Sequence, residues 1–357
     1  MGTQVLRPLV VFAALLLPAA LAPPGLRNPG AVLEIELDAS GSLLVASSVG
    51  GAYVWDLASL SYSGRVLAED FQTRHIRFAG PGLFSVRRDC HRANETAVLF
   101  WEGANQAGRR IGSFPGAIAA AAMSPNLLTL LIVGRDGMLV EWDLGDQVAL
   151  RRQRLAGFDQ PVRRLVPIDF SPDRRFLALR DWNSYYLHIV HTSDGTLLHR
   201  SEYYAPEGSR PFAFDPRSSR YFDGVRVRST FDGQVLQTIR PRATGRLERA
   251  AFSPDGAWLA LLLQKADDEQ CALEFHALTD LNETGSDRGP TPTGDRRPPV
   301  TRILPAPASQ TLSPDQSEEP RLDRTFSGRG TALAWHPRDP FIFVGFFDGN
   351  IVRVSSP

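Results

Sequence analysis

A single recurrence constrains this chain more than anything else in it. At Gly41, Pro81, Pro125, Pro172, Pro216 and Pro254 a proline or glycine turn follows one short apolar run and precedes another, and a further turn lies at Pro337. The spacing is about forty residues, doubled before the last turn. Written out, the segments include Leu37-Asp38-Ala39-Ser40-Gly41, Ala122-Met123-Ser124-Pro125, Asp169-Phe170-Ser171-Pro172-Asp173, Phe252-Ser253-Pro254-Asp255-Gly256 and Ala334-Trp335-His336-Pro337. Asp-Gly dipeptides at Asp136, Asp194, Asp223, Asp232, Asp255 and Asp348 punctuate the same stretch, and they supply the positive φ angles of tight hairpins. Short runs joined by hairpin chemistry argue against a helical protein.

A period of this length predicts an all-β fold, a single β-propeller of seven four-stranded blades. The third repeat reads as strands over Ala117–Met123, Leu127–Val133, Met138–Leu144 and Gln147–Leu155, with Arg135-Asp136-Gly137 as a hairpin. The first reads as Val32–Leu37, Ser42–Ser47, Ala52–Leu57 and Arg65–Ala68.

Over 357 residues the composition is 43% hydrophobic and 22% charged, enough apolar material for a large core. Formal net charge is zero, so no global field draws nucleic acid or an anionic membrane. Lys265 is the single lysine, and we read the arginine excess as codon usage. Residues 1–22 have the layout of an export signal, with Arg7 ahead of an apolar run to Ala22. Ala20-Leu21-Ala22 is a small-x-small cleavage site, and Pro23 directly after it hinders cleavage, so the segment is either removed or kept as a membrane tether. The expected location is therefore exported: periplasmic, secreted or membrane-anchored. Cys90 and Cys271 fall in different repeats and are expected as separate thiols.

Val54-Trp55-Asp56-Leu57 and Glu141-Trp142-Asp143-Leu144 resemble the Trp-Asp ending of WD40 repeats, and Phe346–Val354 looks like the turn and third strand of one. Phe252–Ala260 is similar to the bacterial TolB-like relatives. The resemblance covers residues 31–357 and implies a WD40-like propeller. Later repeats lack the Trp-Asp ending and none opens with Gly-His, so the buried Asp-His-Ser-Trp network of that family is not expected.

The double interval between Pro254 and Pro337 is read as an insertion. Residues 282–326 are expected to be disordered and to precede the last blade, with only Val300–Leu304 able to act as a strand. The chain ends on a third strand, and residues 24–30, with Pro24, Pro29 and Gly30, make a poor fourth, so imperfect ring closure is expected.

No Gly-x-Ser-x-Gly elbow, phosphate-binding loop or dinucleotide fingerprint is present. His188 and His191 fall on opposite faces of a strand, Asp89-Cys90-His91 is too small a cluster for zinc, and Asp267-Asp268-Glu269 reads as a solvated hairpin tip. The Asn94 and Asn282 sequons are surface positions. No cofactor, metal or catalytic residue is expected. The expectation is a non-catalytic scaffold that binds a protein partner through one rim, carried by Arg87, Arg88, His91, Asp181, Trp182, Tyr185, Tyr186, Tyr203 and Tyr204. The alternative is a lactonase-like hydrolase or small-molecule binder using the central channel.

Overall fold

The computed structural model describes residues 26–48, 51–59, 61–67, 74–79, 82–88, 95–101, 109–115, 118–124, 128–134, 137–156, 165–181, 186–203, 211–279 and 321–356. Within them lie twenty-eight strands in seven four-stranded antiparallel sheets. The first strand among the described residues is the two-residue β1 (Leu26–Arg27). Blade 1 is β2 (Glu34–Leu37), β3 (Leu43–Ser48), β4 (Gly51–Asp56) and β5 (Ser61–Leu67). Blade 2 is β6 (Arg74–Ala79), β7 (Gly82–Arg88), β8 (Glu95–Trp101) and β9 (Arg109–Pro115). Blade 3 is β10 (Ile118–Met123), β11 (Thr129–Gly134), β12 (Met138–Asp143) and β13 (Ala149–Arg154). Blade 4 is β14 (Leu165–Phe170), β15 (Phe176–Asp181), β16 (Tyr186–His191) and β17 (Leu197–Glu202). Blade 5 is β18 (Ala213–Phe214), β19 (Arg220–Phe222), β20 (Arg226–Ser229) and β21 (Val235–Thr238). Blade 6 is β22 (Arg246–Phe252), β23 (Trp258–Gln264), β24 (Gln270–Ala277) and β25 (Arg321–Ser327). The last sheet holds β26 (Gly330–Trp335), β27 (Phe341–Phe346), β28 (Asn350–Ser355) and, outermost, β1.

The expectation of seven four-stranded blades is corrected by this connectivity. Six blades are built from four consecutive strands each, whereas the remaining sheet is a composite of both ends of the described chain. The segment judged a poor strand is the closing one: Leu26 pairs with Ile351 and Arg27 with Asn350. Pro29 does not prevent this, because β1 ends two residues before it and turns away through Asn28, whose N–H donates to the Gly349 carbonyl. Gly349 has φ +90°, and a Cβ there would lie 2.2 Å from the Asn28 carbonyl oxygen, so closure requires glycine at this position.

A second correction concerns the insertion. Arg321–Ser327 is the outer strand of blade 6, paired to β24 from Gln270↔Ser327 to Phe275↔Arg321. The long connection therefore lies inside blade 6, between its third and fourth strands, and not between blades. The expected strand Val300–Leu304 lies outside the described residues. In blade 1 the outer strand is likewise earlier than expected, Ser61–Leu67 rather than Arg65–Ala68.

Alternation along each middle strand explains how the sheets stack. In β23, Leu259, Leu261 and Leu263 pack with Phe222, Val227 and Ile239 of blade 5. The intervening Ala260 and Leu262 pack with Ile342, Val344 and Phe346 of the last sheet. Both faces of the strand are buried, so the run is apolar throughout, as a strand in the middle of a stacked sheet should be. Tyr203, Phe212 and Tyr221 seal blade 4 against blade 5, and Leu131, Val133, Leu177 and Leu179 seal blade 3 against blade 4. Leu26, Val32, Leu44, Trp55, Phe343 and Ile351 close the ring between the last sheet and blade 1.

Candidate interaction rim

Antiparallel alternation sorts the connections into two rims. One rim carries the turns joining first to second and third to fourth strands. The other, here the loop rim, carries the connections from second to third strand and from one blade to the next.

On the turn rim, polar side chains are largely spent on the backbone. Ser124, Ser171 and Ser253 each end an inner strand and accept through Oγ the N–H five residues on, from Thr129, Phe176 and Trp258. Asp38 and Asp215 do the same for Leu43 and Arg220, and His336 Nδ1 accepts the Asp339 N–H. Apart from Asp38, which precedes Ala39, these residues are the repeated Ser/Asp/His-Pro positions of the sequence, and their recurrence has a turn-capping cause. For Asp173 burial opposes ionisation, and hydrogen bonds from Ser171, Arg175 and Ser218 outweigh it, so its carboxyl lies below the usual range. Leu128, Val148 and Phe231 are exposed apolar residues on this rim; Phe231 meets the buried Phe176 edge-on at 5.5 Å.

The loop rim is where the sequence places its candidate residues. Arg87 and Arg88 end β7, opposite Ala97 and Thr96, directly beside the connection that carries His91. Asp181 ends β15 opposite Leu165. His91, Trp182, Tyr185 and Tyr204 lie outside the described residues, as do the side chains of Arg87, Arg88 and Asp181. Tyr186 opens β16, half-buried, opposite Glu202, and the Arg200 guanidinium sits 5.2 Å from its ring centroid. That stack presents a cation over an aromatic face on the rim.

Tyr203 is a correction. It is 1% exposed and packs with Phe176, Leu187, Phe212 and Tyr221, with the Arg180 guanidinium 5.7 Å from its ring. The ring fills the junction between blades 4 and 5, which is the ordinary fate of an aromatic residue at the end of a strand.

Two further features of this rim went unread in the sequence. Phe347 is 57% exposed at the tip of the β27–β28 connection, with the Arg329 guanidinium 5.8 Å from its ring. Residues 239–245, between blades 5 and 6, form a loop held from beneath by Glu274. That buried carboxylate accepts N–H groups from Ala243 at 2.6 Å and Arg242 at 3.1 Å, and lies 3.1 Å from His276 Nε2. Burial works against its charge, but the hydrogen bonds from His276, Ala243 and Arg242 prevail and hold it below the usual carboxylate range. The signal for this loop was Arg240-Pro241-Arg242, hidden by attributing the arginines to codon usage.

Among the described residues no group of three or more His, Cys, Asp or Glu side chains could hold a metal ion, and no helix is long and apolar enough to cross a membrane. No protein-family profile matches the chain, and no curated protein sequence does. Many solved structures share its fold. One is the β-propeller domain of Cps50 (Swd1) from Myceliophteria thermophila, 13% identical, with a TM-score of 0.60 over 92% of this chain and 97% of that one. At that identity the likeness is one of fold, a WD40-like β-propeller.

Proposed function

We propose that the protein is an exported, non-catalytic scaffold that binds a protein partner on its loop rim. The observation that carries this reading is the pairing of arginine with aromatic rings there, Arg200 over Tyr186 and Arg329 over Phe347, on a ring in which blades 3 to 6, the last sheet and blade 1 pack in turn against one another. Arginine and aromatic side chains dominate binding energy at protein interfaces, and a rigid ring presents them at little ordering cost. The resemblance of Phe252–Ala260 to TolB-like repeats agrees with an exported propeller, and residues 1–22 supply the address, with or without retention as a tether.

The test is capture from gently cross-linked cells with a C-terminal tag, for the wild type, Arg200→Glu and Phe231→Ser, recording membrane and soluble fractions. A stoichiometric protein retained by wild type and Phe231→Ser but lost from Arg200→Glu supports the reading. Retention by Arg200→Glu with loss from Phe231→Ser moves the surface to the turn rim. Recovery of the propeller alone in every case overturns the scaffold and directs attention to ligands of the channel.

A further inference from the structure

We propose that His199 is an acid-operated latch, whose protonation releases the β20–β21 turn of blade 5 from blade 4. The proposal goes beyond the scaffold reading and stands independently of it. The turn is held to blade 4 at two points. His199, on the outer strand β17, has Nε2 3.0 Å from the Thr230 carbonyl oxygen, and Phe231 lies edge-on to Phe176 with ring centroids 5.5 Å apart. A carbonyl only accepts, so Nε2 carries the ring proton and Nδ1 is left as an acceptor. Among the described residues that Nδ1 is buried without a hydrogen-bond partner. A lone pair without a donor is a modest loss, whereas a cationic N–H without an acceptor is a buried charge left unsatisfied.

The turn backbone shuts Nδ1 in. Gly233 stands so close that a Cβ there would lie 2.8 Å from it. The Gly233 N–H donates to the Ser229 carbonyl, and the Gly233 carbonyl already accepts from Arg228 Nη1 at 2.9 Å. A protonated ring therefore reaches a new acceptor or water only when the turn swings outward, taking Phe231 from Phe176. The groups that face the ring set its charge. Arg228 comes from β20, with its Nε 2.6 Å from Asp223, and the exposed Asp232 comes from the turn itself. Tyr221 of β19 stacks on the ring at 5.8 Å, and burial pushes its hydroxyl up to about 12, so it stays neutral. On β16 the opposite residue is Ile189. Burial and then the Arg228 charge work against the imidazolium, and they outweigh the Thr230 carbonyl and Asp232, which favour it, so the ring titrates below its ordinary value. In the released turn it returns to that value of about 6.5. Between the two values the released form binds more protons, so the latch holds fully above about 6.5 and loosens as pH falls toward the folded value.

Hydrogen exchange of the full chain, read by mass spectrometry and corrected for its intrinsic pH dependence, tests this between about pH 7.5 and about pH 5.5, a window in which histidines rather than ordinary carboxylates change charge. Exchange of residues 229–235 is expected to quicken severalfold at the lower pH in the wild type. It should quicken equally in His191→Gln, which alters the histidine 5.7 Å from the Phe176 ring centroid. In His199→Gln, whose amide N–H can still donate to the Thr230 carbonyl, it should not respond to pH. In Asp232→Asn, which removes the facing negative charge and keeps the Oδ1 that accepts the Gln234 N–H, it should quicken more than in the wild type. Melting temperatures at pH 7.5 are checked first, and should His199→Gln fail to fold, the other two variants decide. No pH response in the wild type, the same response in His199→Gln, its loss in His191→Gln, no increase in Asp232→Asn, or a quickening shared by every blade overturns the proposal.

Discussion

His336 Nε2 stands 3.0 Å from the carbonyl oxygen of Gly41, across the junction between the last sheet and blade 1. A carbonyl only accepts, so Nε2 carries the proton and Nδ1 is left to accept the Asp339 N–H at 2.8 Å. One imidazole thus caps its own turn and ties the last sheet to blade 1.

Gly41 is the sharper probe of that tie. Its φ is +75°, and a Cβ there would lie 2.1 Å from His336 Nε2. Gly41→Ala combines left-handed strain of about 1–2 kcal/mol with loss of a hydrogen bond of about 1 kcal/mol, and is expected to cost about 3 kcal/mol in urea unfolding. Combining it with His336→Ala removes the collision, so the double variant should lose less than the sum of the singles. Strict additivity would show that the two residues do not meet.

Ring closure through β1 makes a second prediction. Leu26 is 5% exposed and packs with the cluster containing Phe343 and Ile351, at the end of only two ladder pairs. Leu26→Ala should destabilise by about 2–4 kcal/mol, and Leu26→Asp by more, since a carboxylate would be buried among apolar side chains. Hydrogen exchange should show the effect first in β28. A Leu26→Asp protein with wild-type stability would mean that β1 does not hold the ring shut.

The recurrence at the Ser-Pro and Asp-Gly turns was legible because, among the described residues, these turns are closed locally, by a side chain accepting an N–H a few residues on, as Ser171 does for Phe176. Local geometry leaves a local signature. The closing strand and the outer strand of blade 6 were not legible for the opposite reason. Leu26 pairs with Ile351, and Cys271 pairs with Phe326 across a long connection, and neither partner is implied by nearby sequence. Tyr203 and Tyr186 show the same limit at the candidate rim. Both are tyrosines at strand ends, yet one fills a blade junction and the other faces an arginine, and that difference depends on the neighbouring blade.

Glu274 gives the fold a pH dependence whose direction can be stated. Its folded carboxyl titrates below the usual range, while in the unfolded chain it titrates near the ordinary glutamate value of about 4.3. Between those two values the unfolded chain binds more protons, so stability rises with pH. The contribution is complete above the unfolded value and is lost as pH falls through the folded one. Glu274→Gln should be less stable than wild type at pH 7, with the gap narrowing as the pH is lowered past about 4.3. Melting curves from pH 7 to pH 3 read this directly, and a gap that does not change with pH would show that Glu274 is not held as a carboxylate by the loop.

Cys271 reports on the junction between blade 6 and the last sheet. Its thiol is fully buried beside Gly330, among Leu262, Phe275 and Val344, and burial pushes its pKa up to about 11. Thiolate is the reactive form, so at pH 8 about one molecule in a thousand carries it even before access is considered. Alkylation by iodoacetamide should therefore be negligible in the native ring and should appear only as the junction opens. Peptide-resolved mass spectrometry along a urea series reads Cys271 separately from Cys90. Modification of Cys271 should follow global unfolding, and Leu262→Ala, which loosens the packing over the sulfur, should bring it to lower urea. Rapid labelling without denaturant would mean that blade 6 separates from its neighbour under native conditions, and the sealed ring required of a rigid scaffold would be lost.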